Sequence, residues 1–251
     1  MHLKGSGGSN SRPPQHISIP SEIATESPAR CRPLSGDELV WYAAYGSNLL
    51  EARFRFYLEG GMPEGTTRNY SGFRDRRPPR LTRALMLPGA VYFGGESSVW
   101  GGGMAFYAPE PPTGWPRTAA ARGYLLTAGQ FADLVAQEMH RAADGDLDLT
   151  PVLRHGRDML GSGRYETLVR AGDLDGHPIL TCTAPGDPAA AELRAPSARY
   201  VGMIAAGLYR TFDWSVGHIH EYLAALPGID AVWDRGELTA VIEDMHQSGC
   251  R

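Results

Sequence analysis

The sequence is short of cysteine, of long apolar runs and of net charge. Its 251 residues include three cysteines, Cys31, Cys182 and Cys250. An odd, scattered set is no disulfide framework, and no Cys-x-x-Cys pair suggests a metal clip. No stretch approaches the roughly 18 apolar residues that cross a bilayer. The start, Met1-His2-Leu3-Lys4-Gly5, has no apolar segment of a secretory signal, so the cytoplasm is the expected location. The formal net charge is only −4. That balance argues against a protein that grips nucleic acid or an anionic membrane. The regular β-α-β alternation of a doubly wound sheet is also missing.

What is present suits a globule with a core. Hydrophobic residues make up 42% and charged residues 21%. The 31 glycines and 19 prolines, about a fifth of the chain, point to many turns and a strand-containing fold. Residues 1–36 read as a disordered tail, linker-like at Gly5 to Ser11 and interrupted by Pro13, Pro14, Pro20, Pro28 and Pro33. Apolar, β-forming residues predict strands over 39–45, 83–93, 103–107, 122–127, 165–169 and 178–183. Helical spacing predicts helices over 49–58, 128–142, 197–212, 216–225 and 237–246. The expected fold is α+β, a strand-rich body with inserted helices and a helical end.

The helix after Thr127 carries the most informative feature. Thr127 and Gln130 form a Thr-x-x-Gln capping box. The apolar stripe runs Phe131, Leu134, Val135, and its next position calls for an apolar residue at 138. Glu138 stands there instead, so it is expected to face inward, with Asp133 and Gln137 on the outer face. A carboxylate carried inward has its pKa raised or is paired. Two readings stay open: general acid–base chemistry, or a structural ion pair with an arginine such as Arg122 or Arg164.

A second feature is the turn Tyr45-Gly46-Ser47-Asn48 between the first strand and helix. Gly46 can adopt conformations closed to other residues, and Ser47 or Asn48 can cap the helix. The N–H groups of such a turn can hold a carboxylate or an oxyanion. A plain connection fits equally, and no Gly-Lys-Ser/Thr follows that would make it a P-loop. Other signals are weaker. Arg74, Arg76, Arg77, Arg80 and Arg83 suit a solvated loop or recognition of an acidic group. His218-x-His220 does not place two ligands at one helical site. Cys182, Phe54, Phe56 and Tyr57 read as core, and Trp100 as either core or pocket wall.

These features together resemble the γ-glutamylcyclotransferase-like family. Tyr42-Ala43-Ala44-Tyr45-Gly46-Ser47-Asn48-Leu49 is similar to its opening signature. Trp100 to Ala105 resembles its glycine-rich strand start, and Gly123-Tyr124-Leu125-Leu126 the strand before its catalytic helix. Gln137-Glu138 match its Gln-Glu pair, Gly163-Arg164-Tyr165 its Gly-x-Tyr, and Pro196 to Tyr200 its Pro-Ser-x-x-Tyr segment. The resemblance implies a small β-barrel of mixed strands flanked by helices over residues 37–213, with 214–251 a helical extension packed on it. It implies Glu138 as the catalytic acid/base. Tyr42, Ala44, Tyr45, Gly46, Ser47, Asn48, Tyr165 and Tyr200 are then the substrate-binding residues. The implied reaction is cyclisation of a γ-glutamyl group to 5-oxoproline with release of an amine or amino acid. It needs no metal and no organic cofactor, and its partner is a small molecule. The segments 59–80 and 140–162 and the helical end depart from small family members. They leave room for a specialised γ-glutamyl-amine deprotecting enzyme. A barrel that binds a metabolite without turnover is the non-catalytic alternative.

Overall fold

The computed structural model describes residues 33–248 apart from Gly65 and Ser98; side-chain features of 246–248 are left aside. Most of the predicted tail therefore lies outside the described residues. Eight strands form in chain order: β1 Leu39–Ala44, β2 Thr82–Pro88, β3 Ala90–Gly94, β4 Met104–Ala108, β5 Thr118–Thr127, β6 Arg157–Met159, β7 Thr167–Leu174 and β8 His177–Thr183. Six helices join them: α1 Glu51–Glu59, α2 Ala128–Glu138, α3 Thr150–His155, α4 Ala198–Phe212, α5 Val216–Ala224 and α6 Arg235–Ser248. A single 3₁₀ turn, Ser47–Leu49, precedes α1.

The fold is mixed α+β, and its sheet is open. Six strands run in the order β2-β5-β1-β8-β7-β6, and β3 pairs with β4 alone. The expected barrel is therefore not formed. The predicted strand 83–93 breaks at Gly89, whose φ of 116° is closed to most side chains. After that turn the chain leaves β2 to pair with β4. Among the described residues, no strand then bridges the two sheet edges, β2 and β6.

β1 is the hub of the sheet, antiparallel to β5 and parallel to β8. Its side chains alternate between two cores, as the strand period requires. Trp41, Ala43 and Tyr45 pack with α4, α5 and α6; Val40, Tyr42 and Ala44 pack with α1, α2 and α3. Burial on both faces explains why β1 reads as a continuous apolar run. The C-terminal helices share one apolar cluster with the sheet, through Ile219, Leu223, Leu238 and Ile242.

Helix α2 begins as predicted. The Thr127 side chain accepts from the Gln130 N–H, and the Gln130 side chain accepts from the Thr127 N–H. It ends at Glu138, short of residue 142, because His140 takes φ of 56° and turns the chain. Asp133 and Gln137 are buried, not on an outer face. The segment 60–81 crosses that side of the helix as a strap. Asp133 accepts from the Arg74 backbone N–H and from its Nε, each at 2.7 Å. The Gln130 amide donates to the carbonyls of Asp75 and Arg77, and the Gln137 amide donates to the Tyr57 carbonyl. Polar residues thus sit inward because the strap and α1 offer them partners.

Removing Arg74 leaves the Asp133 carboxylate, 1% exposed, buried without its cation. Arg74→Ala is expected to lower stability by about 2 kcal/mol, less than for a fully buried pair because Arg74 is 41% exposed. The double variant Arg74→Ala/Asp133→Asn is expected to recover part of the loss. Urea denaturation measures both, and an unchanged midpoint in the single variant overturns the assignment.

Candidate functional site

A cavity of about 100 Å³ opens between the end of β1, the turn that follows it, the end of α2 and the start of α4. The turn supplies Gly46, Ser47 and Asn48 to its wall, and α2 supplies Glu138. Six tyrosines surround them: Tyr42, Tyr45, Tyr57, Tyr70, Tyr165 and Tyr200. Trp100, Arg68, Met104, Thr181 and Cys182 also reach the cavity.

The turn is shaped by what packs against it. A Cβ at Gly46 would come within 3.0 Å of the Tyr200 hydroxyl, so a side chain here presses on Tyr200. Neither Ser47 nor Asn48 caps a helix; no side-chain cap forms at either helical start. Asn48 is buried and is used structurally. Its amide donates to the Tyr42 hydroxyl at 3.2 Å, and its carbonyl accepts from Tyr124 at 2.8 Å. Its Oδ1 is buried without a partner. The opening of the 3₁₀ turn leaves the N–H groups of Ser47 and Asn48 without intrahelical partners, as at any helix start. The Tyr200 hydroxyl accepts from the Ser47 N–H and from Ala105 N–H. Tyr45 donates to the Cys182 carbonyl at 2.5 Å and Tyr165 to the Ala105 carbonyl at 2.8 Å. Tyr200 also stacks on Trp100 with ring centres 6.0 Å apart.

Glu138 is half-buried in this setting. Desolvation raises its pKa above the ordinary carboxylate value; a hydrogen bond from Tyr57 and the charges of Arg68 and Arg53 pull the other way without cancelling it. Arg122 pairs with Glu51, and Arg164 donates to the Glu96 carbonyl. Neither is the partner that the ion-pair reading requires. Tyr57 stays protonated, its own pKa raised chiefly by burial and next by Glu138. Burial also pushes Tyr200 up to about 12. The cavity therefore offers one carboxyl group with its pKa raised above the ordinary value, ringed by neutral hydroxyls.

Of the residues singled out from the sequence, Glu138, Tyr42, Tyr45, Gly46, Ser47, Asn48, Tyr165 and Tyr200 converge on this cavity. Ala44 does not; its methyl group packs in the core against α2. The arginine cluster stays away from it. Arg74 holds Asp133 and Asp146, and Arg77 holds Asp75. Tyr57 and Cys182, read as core, prove to be cavity wall, as does Trp100. Arg68 and Tyr70 went unnoticed because the strap has no periodicity that assigns its side chains a direction. Among the described residues, no group of three His, Cys, Asp or Glu side chains is placed to hold a metal ion. Among them too, no helix is long and apolar enough to cross a membrane.

No protein-family model matches the chain. Histone deacetylase 5 of Arabidopsis thaliana is 38% identical over 109 residues, which is 43% of this chain and 16% of that protein. The chain thus spans about a sixth of the length of the curated relative it matches. Two solved structures are similar at 16% identity, each over 82% of this chain and 99% of its own. One is a gamma-glutamyl cyclotransferase, with a TM-score of 0.46. The other is an uncharacterized human protein, with a TM-score of 0.45.

The raised pKa of Glu138 has a consequence for stability. A carboxylate whose folded pKa lies above its unfolded value favours folding below the unfolded pKa and loses that contribution as pH rises through the folded one. Glu138→Gln is therefore expected to be more stable than the wild type at pH 7–8. The difference is expected to shrink as pH falls toward the ordinary glutamate value of about 4.3. Thermal melts across that range test it, and a difference that grows on acidification contradicts the assigned direction.

Proposed function

We propose that the protein is a γ-glutamylcyclotransferase-type enzyme. The observation that carries this reading is the shared cavity. It holds Glu138, with its raised pKa, and the Gly46-Ser47-Asn48 turn in one tyrosine-lined enclosure. The resemblance of the sequence segments lends further support. No deacetylase activity is proposed, since the shared segment is only 16% of the plant protein.

In the proposed reaction the nucleophile belongs to the substrate. The α-amine of a γ-glutamyl group attacks its own γ-carbonyl carbon. A ring C–N bond forms, the bond from that carbon to the leaving nitrogen breaks, and 5-oxoproline is released with a free amine or amino acid. Glu138 takes one proton from the α-ammonium and delivers it to the leaving nitrogen; the second proton, which the ring nitrogen sheds as it becomes an amide, also ends on the released amine, which departs as an ammonium. Atoms and protons balance, and no side-chain nucleophile is consumed. Tyr57 donates to Glu138 in its charged form, which keeps the base available. The turn binds the glutamyl head and stabilises the developing oxyanion through the Asn48 N–H, the Ser47 N–H being held by the Tyr200 hydroxyl. The tyrosine wall holds the chain folded, so amine and carbonyl meet at about 3–3.5 Å.

Incubation with a panel of γ-glutamyl amino acids and γ-glutamyl amines is expected to yield 5-oxoproline, read by chromatography. Glu138→Gln is expected to lose at least about 100-fold in kcat while staying folded. The wild-type rate is expected to fall on the acid side as Glu138 is protonated, with a midpoint above the ordinary value of about 4.3. Wild-type rates in Glu138→Gln sink the assignment of the base.

A further inference from the structure

The strap and α1 bring two guanidinium groups to one side of the cavity. Arg53, on α1, is 5% exposed. It donates to the Tyr70 hydroxyl, while its Nε and Nη1 are buried with no partner. Its Cζ lies 4.6 Å from the Tyr70 ring centre, 5.2 Å from Tyr57 and 5.7 Å from Trp100. All three rings line the cavity. Arg68, on the strap, lines the cavity itself, with its Cζ 4.5 Å from the Tyr70 ring centre. Its guanidinium donates to one protein acceptor among the described residues, the Gln137 carbonyl. A guanidinium has five N–H donors, so most of those on Arg68 are left for a ligand.

Neither group forms an ion pair among the described residues. Other arginines of the fold are ion-paired, while Arg164 also donates to a carbonyl. Arg74, Arg77, Arg122, Arg141, Arg170 and Arg194 each meet a carboxylate. Around the cavity, two cations therefore face the single carboxylate Glu138. A buried cation without a counter-charge is costly, and an anionic ligand supplies what is missing. Arg68 also stands on the Glu138 side, tied to the carbonyl of the residue before it. Glu138 must reach the leaving nitrogen, so the released portion of the substrate lies there, away from the turn that takes the glutamyl head.

We infer that Arg68, backed by Arg53, is an anion-binding, specificity-determining residue for a carboxylate on the released portion of the substrate. This rests on the cyclotransferase reading. It sets γ-glutamyl amino acids apart from γ-glutamyl amines that lack the carboxylate. The arginine fork suits a carboxylate because it can donate two parallel N–H bonds.

The test compares γ-glutamylalanine with γ-glutamylethylamine, which differ by that carboxylate. In the wild type, kcat/KM is expected to favour the acid by about tenfold or more, the range of a charged hydrogen bond. Arg68→Met is expected to bring the ratio near one, and Arg68→Lys to retain part of it. If Arg68 acts only by tuning Glu138, both substrates suffer alike and the ratio stays, which overturns the inference. A wild-type ratio near one overturns it too. Should Arg68→Met fail to fold, the ratio in Arg68→Lys decides, and an unchanged ratio there counts against it. If neither substrate yields 5-oxoproline, the cyclotransferase reading fails by itself. Glutarate titration, followed by tryptophan fluorescence, then judges the anion site. Half-saturation at least about tenfold lower in the wild type than in Arg68→Met supports the site, and equal curves overturn it.

Discussion

Helix α2 is clamped at both ends and along one side by hydrogen bonds, and the position of Glu138 depends on that clamp. The capping box fixes its first turn. The strap fixes its flank through Asp133 and Gln130, and α1 does so through Gln137. The positive φ of His140 ends it directly after Glu138. Buried polar groups tolerate little displacement, because each lost partner leaves a desolvated atom behind. A helix held only by apolar packing could slide or rotate by a fraction of a turn. This one cannot without breaking several such bonds, so its last residue is delivered to one place.

The same economy shapes the cavity. Tyr45, Tyr165 and Tyr200 line it and at the same time tie β1, β4, β8 and the turn together through main-chain atoms. Their rings exclude water, which raises the pKa of Glu138, and their hydroxyls stay neutral for the same reason. Desolvation therefore raises the Glu138 pKa and keeps the neighbouring hydroxyls neutral together. The guanidinium groups of Arg53 and Arg68 oppose that desolvation and pull the Glu138 pKa down.

Parts of this arrangement were legible in the chain. The run from Leu39 to Tyr45 is apolar at every position because both faces of β1 are buried, and that pattern needs no tertiary information. The capping box and the inward place of residue 138 follow from a 3.6-residue period. The limits were equally physical. Asp133 and Gln137 read as surface because polarity is the usual mark of exposure; here a strap with no periodic pattern covers them. The family resemblance counted Ala44 among the substrate-binding residues, but its small side chain is taken up by the core beneath Tyr42 and does not reach the cavity. The barrel failed at one glycine, Gly89, where a turn diverts β3 from the sheet it was expected to continue.

The scarcity of cysteine, of long apolar runs and of net charge determined by itself what classes of protein this chain does not resemble. Local periodicity determined where α2 starts and that a carboxylate interrupts its buried stripe. Only the tertiary structure decided what surrounds that carboxylate. Arg68, Tyr57, Tyr70 and the turn come from separate stretches of chain, and non-local contacts between irregular segments leave no repeat to read. Charge balance shows the same division. The sequence supplies the arginines, but the fold alone decides that Arg68 lines the cavity and that Arg53 lies behind its aromatic wall, neither in an ion pair among the described residues.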